Sequence, residues 1–324
     1  MAAATDGNAT LSDLGEFGLI GRISDLAART APGEDVLVGP GDDAAVLRVR
    51  KGHVVMSTDL MVEGRHFRRD WSAAADVGHR AAAQNLSDIN AMGGRAQWLT
   101  VGLAAPADLP AEWALDFTQG FAEECALVGA GLVGGDISQA DQVVISVTVI
   151  GACAVSPVLR SGAEAGDVVA IHGRQGWAAG GLAVLGRGFR SPRVLVEAYR
   201  RPEPPYDAGP VAAESGATAM IDISDGLLAD AGHLARASGV SIDITTGSFE
   251  VAEPLVAVGA AIGADPLQFI LGGGDDHALL ATFPPGPALP DGWTRIGTVS
   301  AAGDGPSVTV DGSAYDGPTG WSHF

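Results

Sequence analysis

The chain is almost without lysine: Lys51 is the only one, and arginine supplies the rest of its 19 basic residues. No Gly-x-x-x-x-Gly-Lys-[Ser/Thr] run occurs, so a phosphate site here cannot rest on a P-loop lysine. Cysteine is as scarce. Cys125 and Cys153 stand alone, without Cys-x-x-Cys spacing or a framework, which reads as reduced core thiols of a cytosolic protein; a catalytic thiol is the other reading. Long apolar runs are missing too. The most apolar segment, Val143 to Leu159, is broken by Ser146, Thr148, Gly151 and Pro157 and alternates like a strand, so no transmembrane helix is expected. Positive charge is short overall, with 39 acidic residues against 19 basic and a net charge of −20. Beyond Arg65 to Arg69 no basic block stands out, which argues against a general nucleic-acid or anionic-membrane binder. An anionic substrate would need metal ions or a local arginine cluster to be held.

What is present is length for two domains and an alternation of strand and helix patterns, the mark of an α/β or α+β protein. Residues 1–13 are Ala-rich and polar, lack the charged and apolar regions of a signal peptide, and read as a disordered tail. A first helix is expected over Glu16 to Ala28, then a glycine turn carrying Asp42 and Asp43 between two short strands. His53 to Val62 reads as a strand delivering Ser57, Thr58 and Asp59 to its end. Ala75 to Met92 is an amphipathic helix in which Asn85 and Asp88, three apart, share a face. A strand over Gln97 to Ala104, a helix over Pro110 to Gly129, the turn Gly134-Gly135-Asp136 and a strand over Val143 to Val155 complete a first domain, 14–160. The second, 161–324, opens with a turn and a strand. Its glycine loop Gly173-Arg-Gln-Gly-Trp runs into a helix whose N-terminus can hold an anion, though its spacing is not the dinucleotide fingerprint and such loops also exist only to turn.

The stretch that organises the rest is Ala219-Met-Ile-Asp222-Ile-Ser224-Asp225-Gly-Leu-Leu-Ala-Asp230, a short strand turning into a helix with Ser224 or Asp225 in capping position. Capping alone would explain Asp225. The theme recurs, however: Asp42 and Asp43, Asp59 and Asp136 sit at strand ends beside glycine or small residues, Asp275 with Asp276 lies in a glycine turn that precedes a strand over Ala278-Leu-Leu-Ala-Thr-Phe283, and Asp88 is added by a helix. If these acids converge they make a hard-cation site of oxygen ligands, for which Mg²⁺ with nucleotide phosphate is the natural occupant. The histidine and cysteine spacing does not favour zinc.

The motifs Gly-Asp-Asp-Ala-Ala, Ser-Thr-Asp with downstream Gly-Arg-His-Phe, Gln-Asn-Leu-Ser-Asp-Ile-Asn-Ala-Met-Gly-Gly, Gly-Gly-Asp, Asp-Ile-Ser-Asp-Gly-Leu and Gly-Gly-Asp-Asp-His occur in an order that resembles the thiamine-monophosphate kinases. The resemblance runs from about Gly15 to the C-terminus and extends to the wider superfamily of aminoimidazole ribonucleotide synthetase and selenophosphate synthetase. It implies a PurM-like fold of two α/β domains, the first carrying ATP and Mg²⁺ and dimerising so that its strands build a barrel across the interface. It implies ATP-dependent phosphorylation of thiamine monophosphate in the cytoplasm, with no protein nucleophile or base. By motif, Asp43, Ser57, Thr58, Asp59, Asp88, Asp136, Asp222 and Asp225 would hold several Mg²⁺ ions. Gly135, Asp136, Arg160 and Ser224 would contact ATP, and His66, Asp275 and Trp321 the thiamine phosphate. One departure stands out: the family commonly has Gly-Glu-Asp-Tyr-Glu where this chain has Gly274-Asp275-Asp276-His277-Ala278. The competing readings are a sister synthetase and a non-catalytic nucleotide sensor. A selenophosphate synthetase would show a reactive Cys near its start, which is not present.

Overall fold

The structure, a computed structural model, describes Thr10, Leu14, Arg22, Ile23, Asp25, Leu26, 36–38, 46–47, 53–286 and 288–321. The expected tail over 1–13 and the Asp42–Asp43 turn lie essentially outside the described residues; of the expected Glu16–Ala28 helix, Arg22, Ile23, Asp25 and Leu26 are described and helical. The chain divides into two compact units, 1–89 with 95–152, and 90–94 with 153–324.

In the first unit, β1 (Val36–Val38) and β2 (Val46–Leu47) pair antiparallel. The principal sheet has four strands in the order β3-β6-β4-β5, from β3 (His53–Val62), β4 (Arg95–Ala105), β5 (Gly131–Gln139) and β6 (Val144–Cys153). β4 runs parallel to β5 through a helical crossover and antiparallel to β6. Strand β6 alternates strictly: Ile145, Val147 and Val149 are buried, while Val144, Ser146, Thr148 and Ile150 are only half-covered, as expected for a sheet packed on one face. Helices α1 (Ala74–Ala91) and α2 (Ala111–Val128) approach backbone to backbone. A Cβ on Gly78 would lie 2.0 Å from the Phe117 carbonyl oxygen, and one on Gly120 2.1 Å from that of Ala75, so only glycine permits the crossing. Phe117 and Phe121 on α2 fill the space around it and are essentially inaccessible.

The second unit is built on a six-stranded sheet ordered β12-β9-β11-β7-β10-β8, from β7 (Val168–His172), β8 (Ala219–Asp222), β9 (Val240–Ile244), β10 (Leu279–Phe283), β11 (Thr294–Ala301) and β12 (Val308–Val310). All pairs are antiparallel except β9 with β12. Around it lie α3 (Trp177–Gly186), α4 (Arg193–Arg200), α5 (Ala208–Glu214), α6 (Leu227–Ser238), α7 (Glu253–Ile262) and α8 (Leu267–Gly272). Both faces of the sheet are covered. Ile171, Ile221, Leu280, Ile242 and Ile296 pack with Leu227, Ala231 and Leu234 of α6, while Ala170, Met220, Ala281 and Phe283 pack with Ala208 and Ala212 of α5. This explains why every residue of β10 is buried and why its sequence is continuously apolar rather than alternating. The protein thus has a mixed α/β fold with two principal sheets, and among the described residues no helix is long and apolar enough to cross a membrane.

The glycine crossing of α1 and α2 gives a direct test. Gly120→Ala should lower stability by roughly 1–3 kcal/mol, the usual cost of overpacking an unyielding site. Urea unfolding followed by circular dichroism checks it; a midpoint equal to wild type would show that the helices separate freely.

Candidate functional site

The Asp222–Asp225 turn is held from its side by a second turn. β8 and β10 pair with Asp222 opposite Leu279. The ladder then continues past both strand ends: Ile223 N donates to Ala278 O at 2.8 Å, His277 N to Ile223 O at 3.2 Å and Asp275 N to Ser224 O at 3.0 Å. A Cβ on Gly274 would stand 2.0 Å from the Ser224 carbonyl oxygen, so the two turns touch main chain to main chain. From another direction the C-terminal segment docks on the same turn, with Trp321 N donating to Asp225 O at 2.9 Å and Ala229 N to Thr319 O at 3.0 Å. Trp321 itself is 60% exposed beside it.

The expected cap is corrected here. The residue at the N-terminus of α6 is Gly226, and neither Ser224 nor Asp225 caps it through its side chain. Asp230, one turn into the helix, reaches back instead: its Oδ2 accepts from Asp225 N and Gly226 N, both at 3.1 Å. Asp225 is therefore released from capping, and its carboxylate lies with Asp230 and His233 in a group whose ligand atoms fall within 4.8 Å of one another. Asp230 is pushed up to about 7, first by burial and then by the charges of Asp222 and Asp225, against the pull of the two N–H groups. Three carboxylates are thus crowded into one turn. The guanidinium of Arg160 is close enough to help lower His233, after burial and Arg236, while Asp225 raises it. Asp230 and His233 did not stand out in the sequence, although their spacing of three on a helix face was a usable signal.

At the second turn, Asp276 is fully buried and caps α3, its Oδ1 accepting from Ala178 N at 2.9 Å. The helix N-terminus that could have held an anion is therefore already occupied by a carboxylate of the chain. Burial pushes Asp276 up to about 7 from its ordinary 3.8, with the N–H groups of Ala178 and Gly176 pulling the other way. The departure at 278 also has a reason: Ala278 is wholly buried in the core against the sheet, and a Cβ on Gly173 would already lie 3.2 Å from it.

In the first unit the acids divide between the sheet edges. Strand β3 runs on to Val62, so Ser57, Thr58 and Asp59 sit within it rather than at its end. Alternation puts Ser57 and Asp59 on one face and Thr58 on the other, where its hydroxyl pairs with Thr148 at 2.8 Å. Asp59 Oδ2 accepts from Gln84 Nε2 at 3.2 Å, and Gln84 stands one turn before Asp88 on α1, so Asp59 and Asp88 face the same side. Asn85, expected to share the face of Asp88, is instead fully buried and donates to Ala81 O. Asp136 lies within β5 rather than in a turn, because Gly135 lets the strand continue: a Cβ there would stand 2.0 Å from Val101 O. β5 and β3 are opposite edges of the sheet, and three strand spacings put them about 14 Å apart. His66 follows β3, its Nδ1 accepting from Val62 N at 2.9 Å. Asp43 lies outside the described residues.

These donors are oxygen-rich and mutually repelling, which fits a hard divalent cation. Fold and site together define the class: residues 41–153 match the family described as AIR synthase related protein, N-terminal domain. Thiamine-monophosphate kinase of Mycobacterium tuberculosis (strain H37Rv) is 47% identical over 318 residues, 97% of this chain and 93% of that one. Thiamine monophosphate kinase from Aquifex aeolicus has a solved structure similar to this one at 34% identity and TM-score 0.74, over 80% of this chain and 88% of that one. AaThiL complexed with AMPPCP and TMP superposes with TM-score 0.79 at 34% identity, covering 98% of this chain and 99% of that one. The chain belongs to the thiamine-monophosphate kinase family, a family of enzymes.

The buried Asp276 carries a pH dependence whose sign is fixed. Its folded pKa, about 7, is above its ordinary 3.8, so folding takes up a proton in that window and stability is lost as pH rises through it. Asp276→Asn keeps an oxygen to cap α3 and removes the titration. The variant's urea midpoint should gain on wild type steadily from pH 4 to 7; a constant difference across that range would show that Asp276 does not titrate there.

Proposed function

We propose that this chain transfers the γ-phosphoryl group of ATP to the phosphate of thiamine monophosphate, giving thiamine diphosphate and ADP, the last step of thiamine diphosphate biosynthesis. The observation that carries the reading is the carboxylate turn Asp222–Asp225, freed from capping by Asp230 and flanked by Arg160. Family membership supports the substrates, as does AaThiL, which is complexed with AMPPCP and TMP. The enzyme acts in the cytoplasm, where its free, buried thiols remain reduced.

Each unit carries its own magnesium ligands: Asp222 and Asp225 in the second, Asp59, Asp88 and Asp136 with Ser57 in the first, and Asp43 with them. Thr58, whose hydroxyl faces away from Asp59, contributes at most its main chain. When bound, Mg²⁺ neutralises the repulsion between two polyanions and aligns them for in-line transfer. Arg160 supplies a guanidinium to phosphate oxygens, Ser224 and Gly135 line the nucleotide with main-chain groups, and His66, Asp275 and the exposed Trp321 meet the thiamine phosphate. No side chain is needed as base, because a phosphate monoester with a second pKa of roughly 6 is mostly a dianion at neutral pH. Transfer is direct, and trapping a labelled phosphoprotein on the reaction path would overturn that.

The unit of function is a dimer in which two four-stranded sheets close into a barrel. Supporting this, Val54, Met56 and Leu60 form an apolar row on β3, an edge strand among the described residues, exposed by 50%, 69% and 57%. Laying β5 of one copy beside β3 of another would also bring Asp136 toward Asp59. Met56→Glu should shift the protein to monomer in light scattering; an unchanged dimer places the interface elsewhere.

A phosphorus NMR time course with MgATP and thiamine monophosphate should show thiamine diphosphate and ADP rising together, and nothing without magnesium. Intact ATP, or hydrolysis without a diphosphate product, moves a sister synthetase or a sensor role forward. Asp59→Asn and Asp222→Asn should each cut turnover by roughly 10²–10³-fold with folding unchanged, the scale on which one preorganised electrostatic group acts.

A further inference from the structure

One buried contact beneath the carboxylate turn belongs to none of the roles above. His277 Nδ1 lies 3.0 Å from Asp222 Oδ2, and the two side chains are only 5% and 6% exposed. A carboxylate can only accept, so Nδ1 carries the hydrogen and the imidazole tautomer is set by Asp222. The backbone that carries the ring is held in place. His277 stands at φ 54°, a left-handed conformation that non-glycine residues rarely adopt. Its backbone is pinned there, with His277 N on Ile223 O and Ala278 O on Ile223 N. Asp222 is pinned as well, by its register opposite Leu279. The pairing of β8 with β10 and with the residues leading into β10 therefore brings donor and acceptor together, and the hydrogen bond sets the plane of the Asp222 carboxylate.

We propose that His277 is a positioning residue, holding the Asp222 carboxylate in the orientation in which it binds a divalent cation. This rests on the reading of Asp222 as a magnesium ligand. An imidazole suits the role because a ring nitrogen gives a buried carboxylate one directed hydrogen bond, and Nδ1 is the nitrogen within reach. Hydrogen-bonded partners behind metal ligands set ligand orientation and affinity in this way. The acid is presented from a strand end rather than from a loop, so a partner acts on the orientation of its side chain.

The test is direct Mn²⁺ binding, read by electron paramagnetic resonance with AMPPCP present, on wild type, His277→Phe, His277→Asn and Asp222→Asn. His277→Phe keeps a ring of similar size but loses the donor; it should weaken Mn²⁺ binding by about 10–100-fold, the usual cost of losing an outer hydrogen bond to a metal ligand. His277→Asn, which can donate through Nδ2, should recover most of the loss. A folded His277→Phe that binds Mn²⁺ like wild type, while Asp222→Asn does not, overturns the positioning role and leaves Asp222 as ligand. Wild-type binding by Asp222→Asn overturns both. A merely structural histidine would move the urea midpoint in both His277 variants and Mn²⁺ affinity in neither. If His277→Phe does not fold, nitrogen NMR of the wild-type ring decides: hydrogen on Nδ1 is required, and hydrogen on Nε2 alone overturns the proposal.

Discussion

The main-chain pairing between residues 222–224 and 275–279 is the constraint on which the candidate site depends. β8 is only four residues long, and taken alone it could not hold a turn of repelling acids in place. Its pairing with β10 continues beyond both strand ends through Ile223, Ser224, Asp275, His277 and Ala278, so the turn is an extension of a sheet buried on both faces. Backbone hydrogen bonds near a well-packed core open with a free energy closer to that of global unfolding than loop contacts do. Carboxylates that would drift apart in a free loop are thereby kept together, and the repulsion between them is available to a cation.

The acids fall into two kinds that composition does not separate. Asp230 and Asp276 are turned inward, accept backbone N–H groups at the starts of α6 and α3, and are each pushed up to about 7. Asp225 is half-buried and Asp136 exposed, and among the described residues neither has a hydrogen bond to its carboxylate. The first kind does the capping that the second would otherwise be drawn into. In the pair Asp275-Asp276 only the second is buried and committed to a helix start, although the two are adjacent in sequence.

That division explains what could be read from the sequence. The strand-to-helix turn around Asp222, the Ala-rich helix with Gln84 and Asp88 on it, and the covered strand from Leu279 were all legible, because hydrophobic period and glycine placement are local signals. Capping was not, since Ser224, Asp225 and Asp230 are all good acceptors and the choice among them depends on the path of the turn, which is set by residues 55 positions away. Asp136 and Asp59 were placed at strand ends because glycine and Ser-Thr-Asp read as turn chemistry. In the fold, Gly135 serves a neighbouring carbonyl and the ladder runs through. Asn85 was assigned by spacing to the face of Asp88, whereas three residues are about 300° around a helix and four are about 400°, so Gln84 aligns better.

The departure from the family pattern at residues 275–278 is better understood from below the turn than from above it. Ala278 lies in the core, where an acid would meet no water, and Asp276 is committed to α3. Of the altered positions, Asp275 lies at the half-buried edge and His277 reaches a proposed metal ligand directly. A change at 277 therefore alters what supports Asp222 while leaving the surface seen by a substrate nearly the same. Sequence drift in this stretch is tolerable on that account as long as position 277 offers a donor to Asp222, and the identity of the group that supplies it is secondary to where the sheet puts it.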